Sequence, residues 1–308
     1  MLNRDRLNDA EAHLRELDQR HNLHPWTHFD SLEKEGAMVV ASGKGCYLTD
    51  ANGKTYLDAV GGMWCTNIGL GREEMADAIA SQIRELAYSS TFVDMTNGPA
   101  ALLGEKIASL TPGDLNHMQF TTGGSTAVDT AYRLIGFYNY CMGRPQKNHV
   151  IARDQAYHGS TFVTMSIGNK ASDKVEEFQY LRDGIHHVSA PHFYRAGGQL
   201  TEDQFTDQLI NEFETKITEI GADKVGAFFA EPIQASGGVL VPPNGYLKRM
   251  WEVCQKYDIL FVADEVVTAF GRLGHFFSIE AEFDIIPDII ISAKGLSSGY
   301  LPMGPMIY

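Results

Sequence analysis

Phe261-Val262-Ala263-Asp264-Glu265 is an apolar run that stops on two carboxylates, and Ile289-Ile290-Ile291-Ser292-Ala293-Lys294-Gly295 is another that stops just short of a lysine. Strands apolar throughout are buried on both faces, as in a mostly parallel sheet covered by helices. In such sheets ligands bind beyond the carboxyl ends of the strands. A carboxylate there is partly desolvated and needs a cationic partner. A lysine drawn there has a lowered pKa, which frees its amine for covalent chemistry with carbonyl compounds. Taken singly, Asp264 also fits a helix cap or a structural ion pair, and Lys294 also fits a surface lysine.

The same pattern extends outward along the chain. Apolar strands are expected at 149–152, 225–230, 259–263 and 289–292. Between and around them, apolar residues three and four apart predict helices at 73–87, 99–110, 125–142, 202–220 and 245–257. Residues 39–59 predict a β-meander, with the turn chemistry of a hairpin in Asp50-Ala51-Asn52-Gly53. The fold class is therefore α/β, with a mostly parallel sheet flanked by helices.

Two further strand ends carry chemistry. Thr121-Thr122-Gly123-Gly124-Ser125-Thr126-Ala127 precedes a long helix. Glycines let the backbone approach an anion, and the free N–H groups of the helix start favour a phosphate. A plain glycine turn with a serine cap fits the same residues. Ala156-Tyr157-His158-Gly159-Ser160-Thr161 follows the strand at 149–152 and sets an aromatic near glycine, where it could stack on a flat ring or serve as core. A phosphate cradle, a stacking aromatic, a carboxylate and an amine thus fall where the sheet would bring them together. Pyridoxal 5′-phosphate (PLP) needs all four, for its phosphate, ring face, pyridine nitrogen and aldehyde.

These residues resemble the class III, or ω-amino acid, aminotransferases of PLP fold type I. The resemblance covers residues 26–308 and rests on GGMWCTNIGLG, FTTGGSTAVDTA, AYHGST, AEPIQASGG, ADEVVTAFGRLG and ISAKGLSSGYLPMG. It implies that Lys294 carries the cofactor and that Asp264 partners the pyridinium nitrogen. Gly124 and Ser125 match the phosphate cradle, Tyr157 the stacking aromatic, and Val266 the apolar contact on the other ring face. Glu231 matches an acidic position near the active site, and Trp64 an aromatic of the substrate pocket. The cradle departs from the commoner SGSE by reading GGST, and Val267 replaces a glutamine of several relatives. The implied reaction moves an amino group from an ω-amino acid or amine, such as taurine or β-alanine, to a keto acid such as pyruvate. An aminomutase of the same fold and an inert truncated paralogue are the alternatives.

Composition bounds the partners. The 308 residues carry a formal net charge of −14 and no dense basic run, which disfavours nucleic acid. No apolar run approaches the roughly 18 residues of a membrane span. The N-terminal stretch 1–22 is polar and is no signal peptide. Cys46, Cys65, Cys141 and Cys254 are widely spaced and read as free thiols of a cytoplasmic protein, with no metal site. The resemblance also implies a homodimer. Residues 1–60 are expected to begin a small domain, and 61–308 to form the large PLP-binding domain. Relatives run longer, so a fragment is expected, and the apolar strand at 302–308 should find its second flank downstream.

Overall fold

The computed structural model describes residues 11–308, so the first ten residues of the polar N-terminal stretch lie outside the described residues. The chain divides into two compact units, one ending at Ala87 and the other spanning Tyr88–Tyr308. The boundary expected between residues 60 and 61 falls inside the first unit.

In the first unit, helices Glu11–His21 and Phe29–Glu35 precede an antiparallel meander of β1 (Val40–Lys44), β2 (Tyr47–Asp50) and β3 (Thr55–Leu57). The hairpin between β2 and β3 turns on Asp50. One of its carboxylate oxygens accepts from the backbone of Asn52 and Lys54, both at 2.9 Å, and the other accepts from the Tyr56 hydroxyl at 2.9 Å. Gly53 takes the left-handed conformation this turn requires, with φ of 83°. Helix Glu73–Glu85 closes the unit.

The second unit is built on a seven-stranded sheet in the order β4-β10-β9-β8-β7-β5-β6. These strands are β4 (Met118–Thr121), β5 (His149–Arg153), β6 (Ile185–Val188), β7 (Val225–Ala230), β8 (Leu260–Asp264), β9 (Ile289–Ile291) and β10 (Gly304–Ile307). From β9 to β6 all neighbours are parallel. β10 runs antiparallel to both β4 and β9. Six strands therefore point the same way, and β10 alone is reversed. Strand alternation divides the apolar side chains between two cores. Ile151, Phe228, Phe261 and Ile290 belong to one, and Val150, Phe229, Val262 and Ile291 to the other.

Helices cover both faces. Helix Glu202–Ile220 starts at Thr201, whose hydroxyl accepts from the Gln204 backbone while the Gln204 side chain accepts from the Thr201 backbone. It buries Phe205, Leu209, Phe213 and Ile217, one helical face, against the first core. Gly221, with φ of 98°, ends it. Helix Gly124–Cys141 lays Ala127, Val128, Ala131 and Ile135 on the second core.

The second flank of β10 is not downstream, as the sequence had suggested. Both of its edges are paired by upstream strands, β4 and β9. The reversal sets the first residue of β10, Gly304, opposite Thr121 at the carboxyl edge of the sheet. A Cβ on Gly304 would lie 2.6 Å from the Gly123 carbonyl carbon and 2.9 Å from the Ser292 oxygen, both backbone atoms that cannot swing aside. Gly304→Ala should therefore cost about 1–3 kcal/mol of stability, the range for overpacking. Chemical denaturation measures it, and an unchanged midpoint and slope would contradict this close packing.

Candidate active site

The end of β4 leads directly into the Gly-Gly-Ser turn and helix Gly124–Cys141. The first N–H groups of a helix have no intrahelical acceptor, so they face whatever lies beyond the turn. A Cβ on Gly123 would meet open space, whereas one on Gly124 would press to 3.0 Å from the Val266 side chain. The Ser125 hydroxyl accepts from the Ser160 backbone N–H at 3.1 Å, which leaves its own proton to donate. Gly159 makes this approach possible. Its φ is 134°, and a Cβ there would fall 2.5 Å from the Ser125 oxygen. The turns after β4 and β5 thus meet, and the helix N–H groups and the Ser125 hydroxyl gathered there suit a phosphate.

Tyr157 stands in the turn after β5, half-buried. Burial pushes its phenol pKa up, and the Asp173 carboxylate adds to the shift. Asp264 ends β8 and is 4% exposed. Its oxygens are held by His158 Nδ1 at 2.7 Å and by the Val266 backbone N–H at 3.1 Å. A carboxylate can only accept, so Nδ1 of His158 carries the proton and orients the group. The neighbouring carboxylate, Glu265, has a different duty. It accepts from the backbone of Ser278 and Ile279 and from the hydroxyls of Ser278 and Thr268. It thereby caps helix Ser278–Phe283 rather than entering the site.

Lys294 follows β9 with φ of 39°, a conformation that costs a side-chain-bearing residue energy. β8 and β9 pair with Asp264 opposite Ile291, so Lys294 stands three residues beyond the partner of Asp264. The structure therefore brings Gly124, Ser125, Tyr157, Asp264, Val266 and Lys294 to one edge of one sheet. Glu231, directly after β7, joins them. Its carboxylate accepts from the backbone N–H groups of Tyr157 at 3.1 Å and Ala235 at 3.2 Å. Trp64 lies in the other unit. There Gly61, Gly62, Met63 and Trp64 have φ of 61°, 58°, 62° and 65°, a single left-handed turn that only its two glycines take without cost.

Two residues of the site escaped sequence reasoning. His158 is visible only as the residue between Tyr157 and Gly159. Arg153 extends β5 one position beyond the apolar run, is fully buried, and donates to the Glu231 carbonyl. Its ionic character beside an apolar strand is the signal that could have found it. Among the described residues, no group of three or more His, Cys, Asp and Glu could hold a metal.

The architecture is that of PLP fold type I, and comparison with known proteins agrees. The family profile Aminotransferase class-III matches residues 30–308. The chain belongs to the class III aminotransferases, whose cofactor is PLP. It is 41% identical over 292 residues to a putrescine–pyruvate aminotransferase of Pseudomonas aeruginosa, covering 94% of this chain and 63% of that protein. It is 38% identical to gamma aminobutyrate transaminase 3 of Solanum lycopersicum, covering 88% of this chain and 52% of that protein. An (S)-enantioselective omega-transaminase from Thermomicrobium roseum superposes with a TM-score of 0.94 at 38% identity, over 96% of this chain and 66% of that one. The omega transaminase of Pseudomonas jessenii, solved in complex with PMP, gives 0.93 at 34% identity, over 96% and 65%. The chain thus spans about two-thirds or less of the length of these relatives.

The acid-base behaviour of Glu231 yields a test. Burial pushes its pKa up to about 7; nearby Asp264 adds to the shift, while His158 and Arg153 oppose it. An acid whose folded pKa is raised contributes stability that is fully present below its unfolded value, near 4.5, and is lost as pH rises through about 7. Glu231→Gln removes that titration. The stability of the variant relative to wild type should therefore climb between pH 5 and 8. Urea unfolding across that range measures the difference, and a flat or falling difference would refute it.

Proposed function

We propose that the enzyme transfers an amino group from an ω-amino acid or amine to a keto acid, with pyruvate as acceptor. The observation that carries this reading is the pairing of β8 and β9, which sets an anion and an amine at adjacent strand ends. The relative with putrescine and pyruvate in its name supports placing diamines among the donors, beside taurine and β-alanine.

Bound PLP supplies an electron sink for the carbon that carries the transferred amine. The protein's own residues do the rest. Gly124 and Ser125 would hold the phosphate through helix N–H groups and the serine hydroxyl. Tyr157 and Val266 would line the ring. Asp264, oriented by His158, would hold a proton at the pyridine nitrogen. Lys294 would carry the cofactor, and its Nζ would move the proton at the carbon that bears the transferred amine. The donor leaves as a carbonyl compound and the keto acid leaves as an amino acid.

We also assign residues 1–60 to the small domain and 61–308 to the large one. The four free thiols support a cytoplasmic setting. A homodimer accords with the exposed Phe137, Tyr140 and Met142 at the end of helix Gly124–Cys141. Sedimentation equilibrium of the whole enzyme should give twice the protomer mass, and a monomer would exclude this assembly.

Paired variants test the chemistry. Lys294→Ala should abolish transamination in a screen of amine donors with pyruvate, while its circular dichroism stays native. Asp264→Asn should retain bound cofactor and slow turnover by about 10²–10³-fold, as loss of one catalytic electrostatic contact does. Substantial turnover by the first, or an unchanged rate in the second, would remove that residue from the mechanism.

A further inference from the structure

The turn after β5 and the turn after β7 are sewn together at several points. Arg153, fully buried, donates to the Glu231 carbonyl. The Gln234 side-chain amide, also fully buried, donates to the Asp154 carbonyl at 2.8 Å. Gly237 packs so tightly that a Cβ would fall 2.5 Å from the Gln155 oxygen. The Glu231 side chain completes the seam, with one oxygen on the Tyr157 N–H and the other on the Ala235 N–H. Glu231 is 5% exposed, and both oxygens are already engaged with backbone.

We propose that Glu231 is a positioning residue: a two-pronged backbone clamp that fixes Tyr157 against the turn after β7 and so sets the face on which the cofactor ring stacks. It touches neither the substrate nor the reacting atoms. The proposal rests on the PLP reading of the site. The Arg153 bond holds the backbone of Glu231, so the carboxylate reaches out from a fixed origin. β5 ends at Arg153, so Tyr157 lies beyond the strand ladder, and the Glu231 carboxylate is one of the groups that hold its turn. The energetics are mixed by construction. Burial and the nearby Asp264 carboxylate raise the pKa of Glu231, whereas His158, Arg153 and the Tyr157 N–H favour the ionised form.

The test uses cofactor-free whole enzyme. Hydrogen exchange is measured at Tyr157 and Ala235, with helix Glu202–Ile220 as internal reference. PLP is then titrated, and affinity and the induced circular dichroism of the bound ring are recorded. Glu231→Ala should speed exchange at both amides, leave the reference helix unchanged, weaken PLP binding roughly tenfold and alter the induced signal. Glu231→Gln keeps one acceptor oxygen and turns an N–H donor toward the other prong. It should open one amide and protect the other, with PLP affinity between wild type and Glu231→Ala. If Glu231→Ala fails to fold, the glutamine variant decides alone, and wild-type protection at both amides overturns the clamp. Loss of transamination with unchanged exchange, affinity and induced signal also overturns it, because Glu231 would then act on the substrate. A wild-type protein that binds no PLP sinks the cofactor reading itself, a result distinct from either of these.

Discussion

The site depends on holding a carboxylate where water hardly reaches. Asp264 sits at the end of a largely buried apolar strand and is itself 4% exposed. A polar group buried there is costly unless it is hydrogen-bonded. The His158 N–H and the Val266 N–H give it two fixed donors. That requirement places His158 beneath the sheet edge, and His158 is contiguous with Tyr157. Tyr157 and the imidazole that holds Asp264 are therefore set by one turn of chain.

Much of this edge was legible in the sequence, because strand ends are local events. An apolar run followed by a polar residue marks where a strand leaves the core, and the parallel arrangement gathers those exits on one side. Lys294, Asp264, Ser125 and Tyr157 could be read this way. Pairings between distant turns could not. Nothing in the composition near Tyr157 announces that Glu231 receives its N–H, or that Arg153 reaches the same residue from another strand. The order of strands was hidden for the same reason. Residues 302–308 read correctly as a strand, but local pattern cannot tell which edges it occupies, and β4 proved to be its second neighbour.

Asp264 and Glu265 illustrate how far adjacent residues of like chemistry can diverge. Alternation along a strand sends successive side chains to opposite faces. Asp264 follows Val262 onto the face of the cradle helix, while Glu265 turns to the start of helix Ser278–Phe283 and neutralises its end. One carboxylate stands at the candidate site and the other serves the scaffold beside it.

The reversed strand β10 gives the site a timetable. The Thr121 hydroxyl donates to the Gly304 carbonyl at 2.6 Å, across a separation of 183 residues. The turn follows the first strand of the seven in chain order, and the strand that braces it follows the other six. Contacts of such long range are slow to form, since the intervening chain must be gathered first. The turn after β4 is thus braced only once the whole span between Thr121 and Gly304 has been gathered into the sheet.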